Sequence, residues 1–126
     1  MEVRESGENY LEQILMLQNQ QGQVRSIDIS TSMGVSKPSV SNAMKKLRTG
    51  GLIQVDGDGF ITLTPEGMSI ASKIYERHEV LAAMLMSLGV DREQAFEDAC
   101  KMEHHISETS FRQMKRHYDE NLKQQP

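Results

Sequence analysis

Apolar residues recur at helical spacing along most of this 126-residue chain, and the breaks in that period divide it. Tyr10, Leu11, Ile14, Leu15 and Leu17 fall on one side of a first helix over residues 5–20, which "QQGQ" closes. Ser26 is expected to cap a short second helix, "SIDISTSMG", that buries Ile27, Ile29 and Met33 and stops at Gly34. After the turn "VSK", Pro38 stands where a first helical turn accepts it, and Val40, Ala43, Met44 and Leu47 form the inner stripe of a third helix, ended by Gly50 and Gly51. The pattern then changes to short β-favouring runs on either side of "DGDG", which predicts a hairpin over residues 52–63. "TPEG" opens a long helix over residues 65–88, with Ile70, Ile74, Leu81, Leu85 and Leu88 on its apolar side and Gly89 at its end. Asp91 caps a fifth helix, and a last helix over residues 108–123 finishes in a polar tail.

Helix, short helix, turn, helix, hairpin and long helix is the order of a winged helix-turn-helix. The predicted fold is mainly α: a winged helix-turn-helix DNA-binding domain over residues 1–70 and a helical domain over residues 71–126. In "GVSKPSV", Gly34 permits a tight exit and Val35 can anchor the turn, while Ser36, Ser39 and Ser41 place hydroxyls and helix N-terminal amides where phosphates or base edges would lie. Base reading is expected between residues 36 and 44, at the helix entry around Pro38 and at Asn42.

Charge sharpens this picture. The chain carries a formal −4, yet residues 24–50 hold Arg25, Lys37, Lys45, Lys46 and Arg48 against Asp28 alone. Such a flank supplies a salt-sensitive backbone term. A three-helix fold with a merely solvated basic face is the competing explanation; the joint presence of serine-rich entry, basic flank and hairpin favours DNA. The wing tip "DGDGF" is acidic and is expected to lie beside the backbone with little base reading. Residues 91–108 are the opposite, with six acids against Arg92 and Lys101, and suit cations.

The longest apolar run, "VLAAMLMSLGV", is too short to span a bilayer, so no membrane partner is expected. "MEVRESGENY" has no apolar run of the secretory kind, and one cysteine cannot form an internal disulfide; a reducing cytoplasm is the expected location. No nucleophile elbow, phosphate loop or zinc-protease motif occurs, so neither an enzyme nor a small organic substrate is expected. A calcium loop starting at Asp56 fails because Phe60 stands at its fifth position and Gly67 at its twelfth.

The stretch "CKMEHHI" carries the remaining chemistry. Cys100, Glu103 and His104 are spaced to share one face of a helix. Asn9 and Glu12 share a face of the first helix, and His78 stands on the long helix, so the three helices must converge for all six to meet one ion. Thiolate, carboxylate and imidazole together suit divalent first-row metals. Taken singly each residue has a plainer role: Cys100 as packing, His78 as a carboxylate partner, Glu12 and Asn9 as polar surface, and His105 as surface or as a support to a ligand. Their joint occurrence is what points to a metal.

With "ENYLEQILML", "SKPSVSNAMKKL", "ITLTPEG", "RHEVL" and "ACKMEHHIS", the chain resembles the diphtheria-toxin-repressor family of metal-activated repressors, to which manganese transport regulators belong. The resemblance spans residues 9–107. It implies a homodimer that binds a palindromic DNA operator when loaded with metal and that controls metal homeostasis genes. It also implies metal ligands at Asn9, Glu12, His78, Cys100, Glu103 and His104. Cys100 follows the iron-type pattern and Glu12 the manganese-type pattern, while Asn9 departs from both. Ala82 stands where the iron-type ancillary site has a glutamate, so that site is not expected, and the SH3-like domain of longer members is not expected before Pro126. The thiolate ranks iron(II) first and manganese(II) second as cofactor. Ala95, Phe96, Ala99 and Phe111 are candidates either for the dimer seam or for ordinary core. A winged-helix regulator that needs no metal is the alternative function.

Overall fold

The computed structural model describes residues 5–122, and its contacts divide the chain between Ser72 and Lys73. In the first unit, α1 (Glu5–Gln21), α2 (Ser26–Met33) and α3 (Lys37–Thr49) precede the strands β1 (Ile53–Val55) and β2 (Ile61–Leu63), and α4 (Pro65–Ser87) begins there. The aliphatic stripes read from the sequence form its core: Leu11, Ile14, Leu15 and Leu17 of α1, Ile29 of α2, and Val40, Met44 and Leu47 of α3 are buried with Ile53 and Ile61 of the strands. Each such side chain stabilises the fold by about 1.5–3 kcal/mol relative to exposure.

The strands pair antiparallel with Ile53 opposite Leu63 and Val55 opposite Ile61. The tip is closed by its own acid, because Asp56 Oδ1 accepts the amides of Asp58 and Phe60, both at 2.9 Å. Val24 extends the pairing: its carbonyl accepts the amide of Ile61 at 2.7 Å. The α2 expectations need three corrections, one being that Met33 is only half-buried. Arg25, not Ser26, is the N-cap, and its amide donates to Asp28 Oδ2 at 2.8 Å. Ile27 is 46% exposed, since residues two apart on a helix point to nearly opposite sides and Ile29 takes the inward one.

Gly67 marks a backbone crossing. A Cβ there would overlap the carbonyl oxygen of Leu52, so the first turn of α4 lies directly on the start of the hairpin. Thr64 Oγ1 reinforces this by donating to the Gly51 carbonyl at 2.7 Å and accepting the Gly67 amide at 3.2 Å.

The second unit comprises the remainder of α4, α5 (Arg92–Met102), α6 (Glu108–His117) and a π-helical turn, Tyr118–Leu122. Leu81, Ala82 and Ala99 form a buried cluster, against which Met86, Phe96, Ile106 and Met114 pack. Ala95 and Phe111 are buried as well, so Ala95, Ala99 and Phe111 are core of the chain itself, with Phe96 packed on it. Leu88, expected on the apolar side of α4, is 78% exposed at the helix end. The last helix gives way to the π-helical turn after His117, and Lys123 lies outside the described residues.

Candidate metal centre and nucleic-acid interface

The nucleic-acid candidate is built on α3. Ser36 caps the helix by accepting the Ser39 amide at 3.2 Å, and its hydroxyl lies 2.8 Å from that of Ser39. Both hydroxyls are therefore engaged in starting the helix. With Pro38 in its first turn, α3 is rigid from its entry. Lys37, Ser41, Asn42, Lys45, Lys46 and Arg48 are exposed, while Val40, Met44 and Leu47 of the same helix are buried. Among the described residues, Lys37, Lys45, Lys46 and Arg48 form no ion pair, so their charge is available to a polyanion. A groove lined by Ser26, Ser41, Met44, Lys45, Arg48 and Val55 joins α2, α3 and the wing. Arg25 is exposed but stacked, with its guanidinium carbon 4.2 Å from the centre of the Phe60 ring, which fastens the wing to the start of α2.

The metal candidate in the second unit centres on Glu103. This residue is wholly buried, and its carboxylate stands between two imidazoles: Oε2 is 2.9 Å from His78 Nδ1, and Oε1 is 3.4 Å from His104 Nε2. The His78 side chain is 14% exposed and that of His104 only 1%. His78 also leans on Phe96, ring centre to ring centre 5.2 Å, and Arg92 covers the same ring at 4.7 Å. The Glu103 carboxylate and the His78 imidazole bring together donor types that fit a divalent first-row ion, with His104 beside the other carboxylate oxygen. The helix that was expected to carry all of "CKMEHH" stops at Met102; Glu103 is its C-cap, and His104 lies in the turn that follows. Cys100 is exposed on α5, and His105 is exposed in the turn. On α1, Glu12 is buried and Asn9 half-buried.

Sequence reasoning missed Arg77. It is buried on α4 next to His78 and donates to the carbonyls of Glu103 at 3.2 Å and Ile106 at 2.9 Å and to Glu108 Oε2 at 3.0 Å. Lys73 Nζ meets the same Glu108 oxygen at 3.1 Å. Hydrogen bonds from Lys73 and Arg77, aided by their charges, hold the Glu108 carboxyl below its ordinary pKa.

Residues 2–59 match the N-terminal DNA-binding domain of iron-dependent repressors, and residues 64–126 match the metal-binding and dimerisation domain of the same proteins. The chain belongs to the iron-dependent repressor family. It is 40% identical over 108 residues to the transcriptional regulator MntR of Escherichia coli O6:H1, covering 86% of this chain and 70% of that protein. Among solved structures it is similar to the manganese regulator SloR, with a TM-score of 0.80 at 28% identity over 94% of this chain and 55% of that one. A manganese-dependent transcriptional repressor solved with manganese gives a TM-score of 0.80 at 27% identity, over 87% of this chain and 51% of that one. The chain thus spans about half the length of these solved proteins. Its family members are transcriptional regulators, not enzymes. No helix among the described residues is long and apolar enough to cross a membrane.

Proposed function

We infer that this chain acts as a metal-loaded homodimeric repressor that binds a palindromic operator, resides in the cytoplasm and controls genes of metal homeostasis. The observation that carries the metal half of this reading is the buried Glu103 carboxylate beside the His78 imidazole, whose Nδ1 is 2.9 Å from it. The DNA half rests on the cations of α3, which face outward from a rigid, capped helix.

The proposed division of labour runs between residues 1–70, which read DNA, and residues 71–126, which hold metal and pair with a twin. His78, Glu103 and His104 are the proposed ligands of the helical domain, and Glu12 and Asn9 of α1 are the proposed contribution of the DNA-binding domain. A bound divalent ion supplies positive charge and directed coordination. Glu103 accepts from His78 and so fixes the tilt of that imidazole, while Phe96 keeps one of its faces from water. On the DNA side, Lys37, Lys45, Lys46 and Arg48 meet phosphates, Ser41 and Asn42 face the groove, and Arg25 steadies the wing. The proposed link between ligands on α1 and ligands on α4 and α5 couples the two events, and a coupling of about 1–3 kcal/mol changes DNA affinity by roughly 5–150-fold.

The choice of metal turns on Cys100. Iron(II) is the reading if its thiolate is a ligand; manganese(II) is the reading if the donors are carboxylate and imidazole alone. The exposure of Cys100, the buried oxygen and nitrogen donors and the likeness to a manganese regulator and a manganese-dependent repressor favour manganese(II) here. The test is operator binding by metal-stripped protein, with and without each ion under anaerobic conditions, for wild type, Cys100→Ala and Glu103→Ala. Tighter binding with manganese(II) that survives Cys100→Ala and is lost in Glu103→Ala supports the reading. Loss of the response in Cys100→Ala restores iron(II), and equal binding with and without metal leaves only the winged-helix regulator.

A further inference from the structure

Arg77 immediately precedes His78 on α4, and at 8% exposure it is far more buried than a guanidinium normally is. Its partners lie 26 to 31 residues further along the chain and bracket the turn that carries Glu103 and His104. Two of them are the carbonyls of Glu103 and Ile106, the third is the Glu108 carboxylate at the start of α6, and the guanidinium carbon lies 5.3 Å from the centre of the Phe111 ring.

As a device for stability alone this arrangement is poor. Its Nε is buried with no hydrogen-bond partner among the described residues, and apolar side chains of similar volume often stabilise a core as well as a buried ion pair does. What an apolar side chain cannot do is donate from one planar Nη1 to two carbonyls while Nη2, fixed in the same plane, takes the Glu108 carboxylate. Glu103 is thereby tied to consecutive residues of α4 at both of its ends: its carbonyl to Arg77 and its carboxylate to His78.

We propose that Arg77 is a positioning residue of the metal centre. By gripping the carbonyls of Glu103 and Ile106, with Glu108 setting the guanidinium's own orientation, it fixes the angle at which the turn presents Glu103 and His104 beside His78. This rests on the metal-binding reading above and adds to it a residue that touches no metal.

The test uses the full chain. Manganese(II) affinity is measured by electron paramagnetic resonance of the free ion, and the ligand field by the absorption spectrum of the cobalt(II)-saturated protein, for wild type, Arg77→Lys and Glu108→Gln. Lysine keeps the charge and can reach Glu108 but offers no planar fork. The expected result for Arg77→Lys is a manganese(II) affinity about 10–100-fold weaker, the usual effect of losing a support to a ligand, with a changed cobalt(II) spectrum at saturation and an unchanged metal-free far-ultraviolet spectrum. Glu108→Gln is expected to weaken binding in the same direction by less, since both carbonyl bonds remain. Arg77→Lys that binds manganese(II) as tightly as wild type, with the same cobalt(II) spectrum, overturns the positioning role and leaves the metal site standing. If Arg77→Lys does not fold, Glu108→Gln decides, and an unchanged affinity and spectrum there overturns the role. Wild type that takes up neither ion overturns the metal reading and this inference together.

Discussion

The two units of this chain differ in how much charge they bury. The winged unit buries aliphatic side chains, Leu11, Ile14, Ile29, Val40 and Leu47 among them, and leaves Arg25, Lys37, Lys45, Lys46 and Arg48 on the surface. The helical unit has a smaller apolar cluster, and beside it lie Arg77, Glu103 and the side chain of His104, all nine-tenths or more buried. In the first unit, then, the candidate DNA-facing groups can be altered without touching the core, and of its described charged side chains Glu12 is the buried exception. In the second, the candidate ligands are core, and a change to one of them alters both stability and binding.

The contrast is broken most severely from inside the winged unit. Leu11→Ala, at a fully buried position, is expected to cost about 2–5 kcal/mol in denaturant unfolding and to lower DNA binding only through the loss of folded protein. Ser36→Ala removes the cap of α3 and is expected to cost about 1 kcal/mol, read as a lower melting temperature. Lys45→Ala tests separability. It is expected to leave stability within about 0.5 kcal/mol of wild type. The slope of log affinity against log salt should fall by about 0.9, and a stability change as large as that of Ser36→Ala would show that surface and core are not independent. The smallest effect is that of pH on Glu108. Its carboxyl titrates below the ordinary value, so its bonds to Lys73 and Arg77 stabilise the fold above the usual carboxylate range and are lost as pH falls through the lowered value. The difference in melting temperature between wild type and Glu108→Gln should therefore be present at neutral pH and close on acidification.

The same contrast explains what could be read from the sequence. In the winged unit the signals are local: Gly34 in the left-handed region at φ 68°, Ser36 three residues before Ser39, and a hairpin whose turn residues stand between its strands. The inner stripe of α3 emerged as read, with Val40, Met44 and Leu47 buried and Ala43 half-buried. Ile27 misled because composition makes α2 apolar on two sides while only one of them meets the core. In the helical unit the decisive contacts are distant. His78 and Glu103 are legible as metal-competent side chains, but nothing near Arg77 in the chain announces that it will grip carbonyls some thirty residues away. The end of α5 at Met102 was hidden for a similar reason: the turn after it is held from α4, and no glycine or proline marks it.

The crossing of Gly67 over Leu52 has a consequence for anyone wishing to harden this protein against heat. Replacing a helical glycine by alanine is a common choice, because alanine favours the helix by about 1 kcal/mol. At this position the new methyl group would strike the Leu52 carbonyl oxygen, and the sign reverses: Gly67→Ala is expected to loosen the junction between hairpin and helix. The residue that looks like the weakest link of α4 is the one that permits its closest contact.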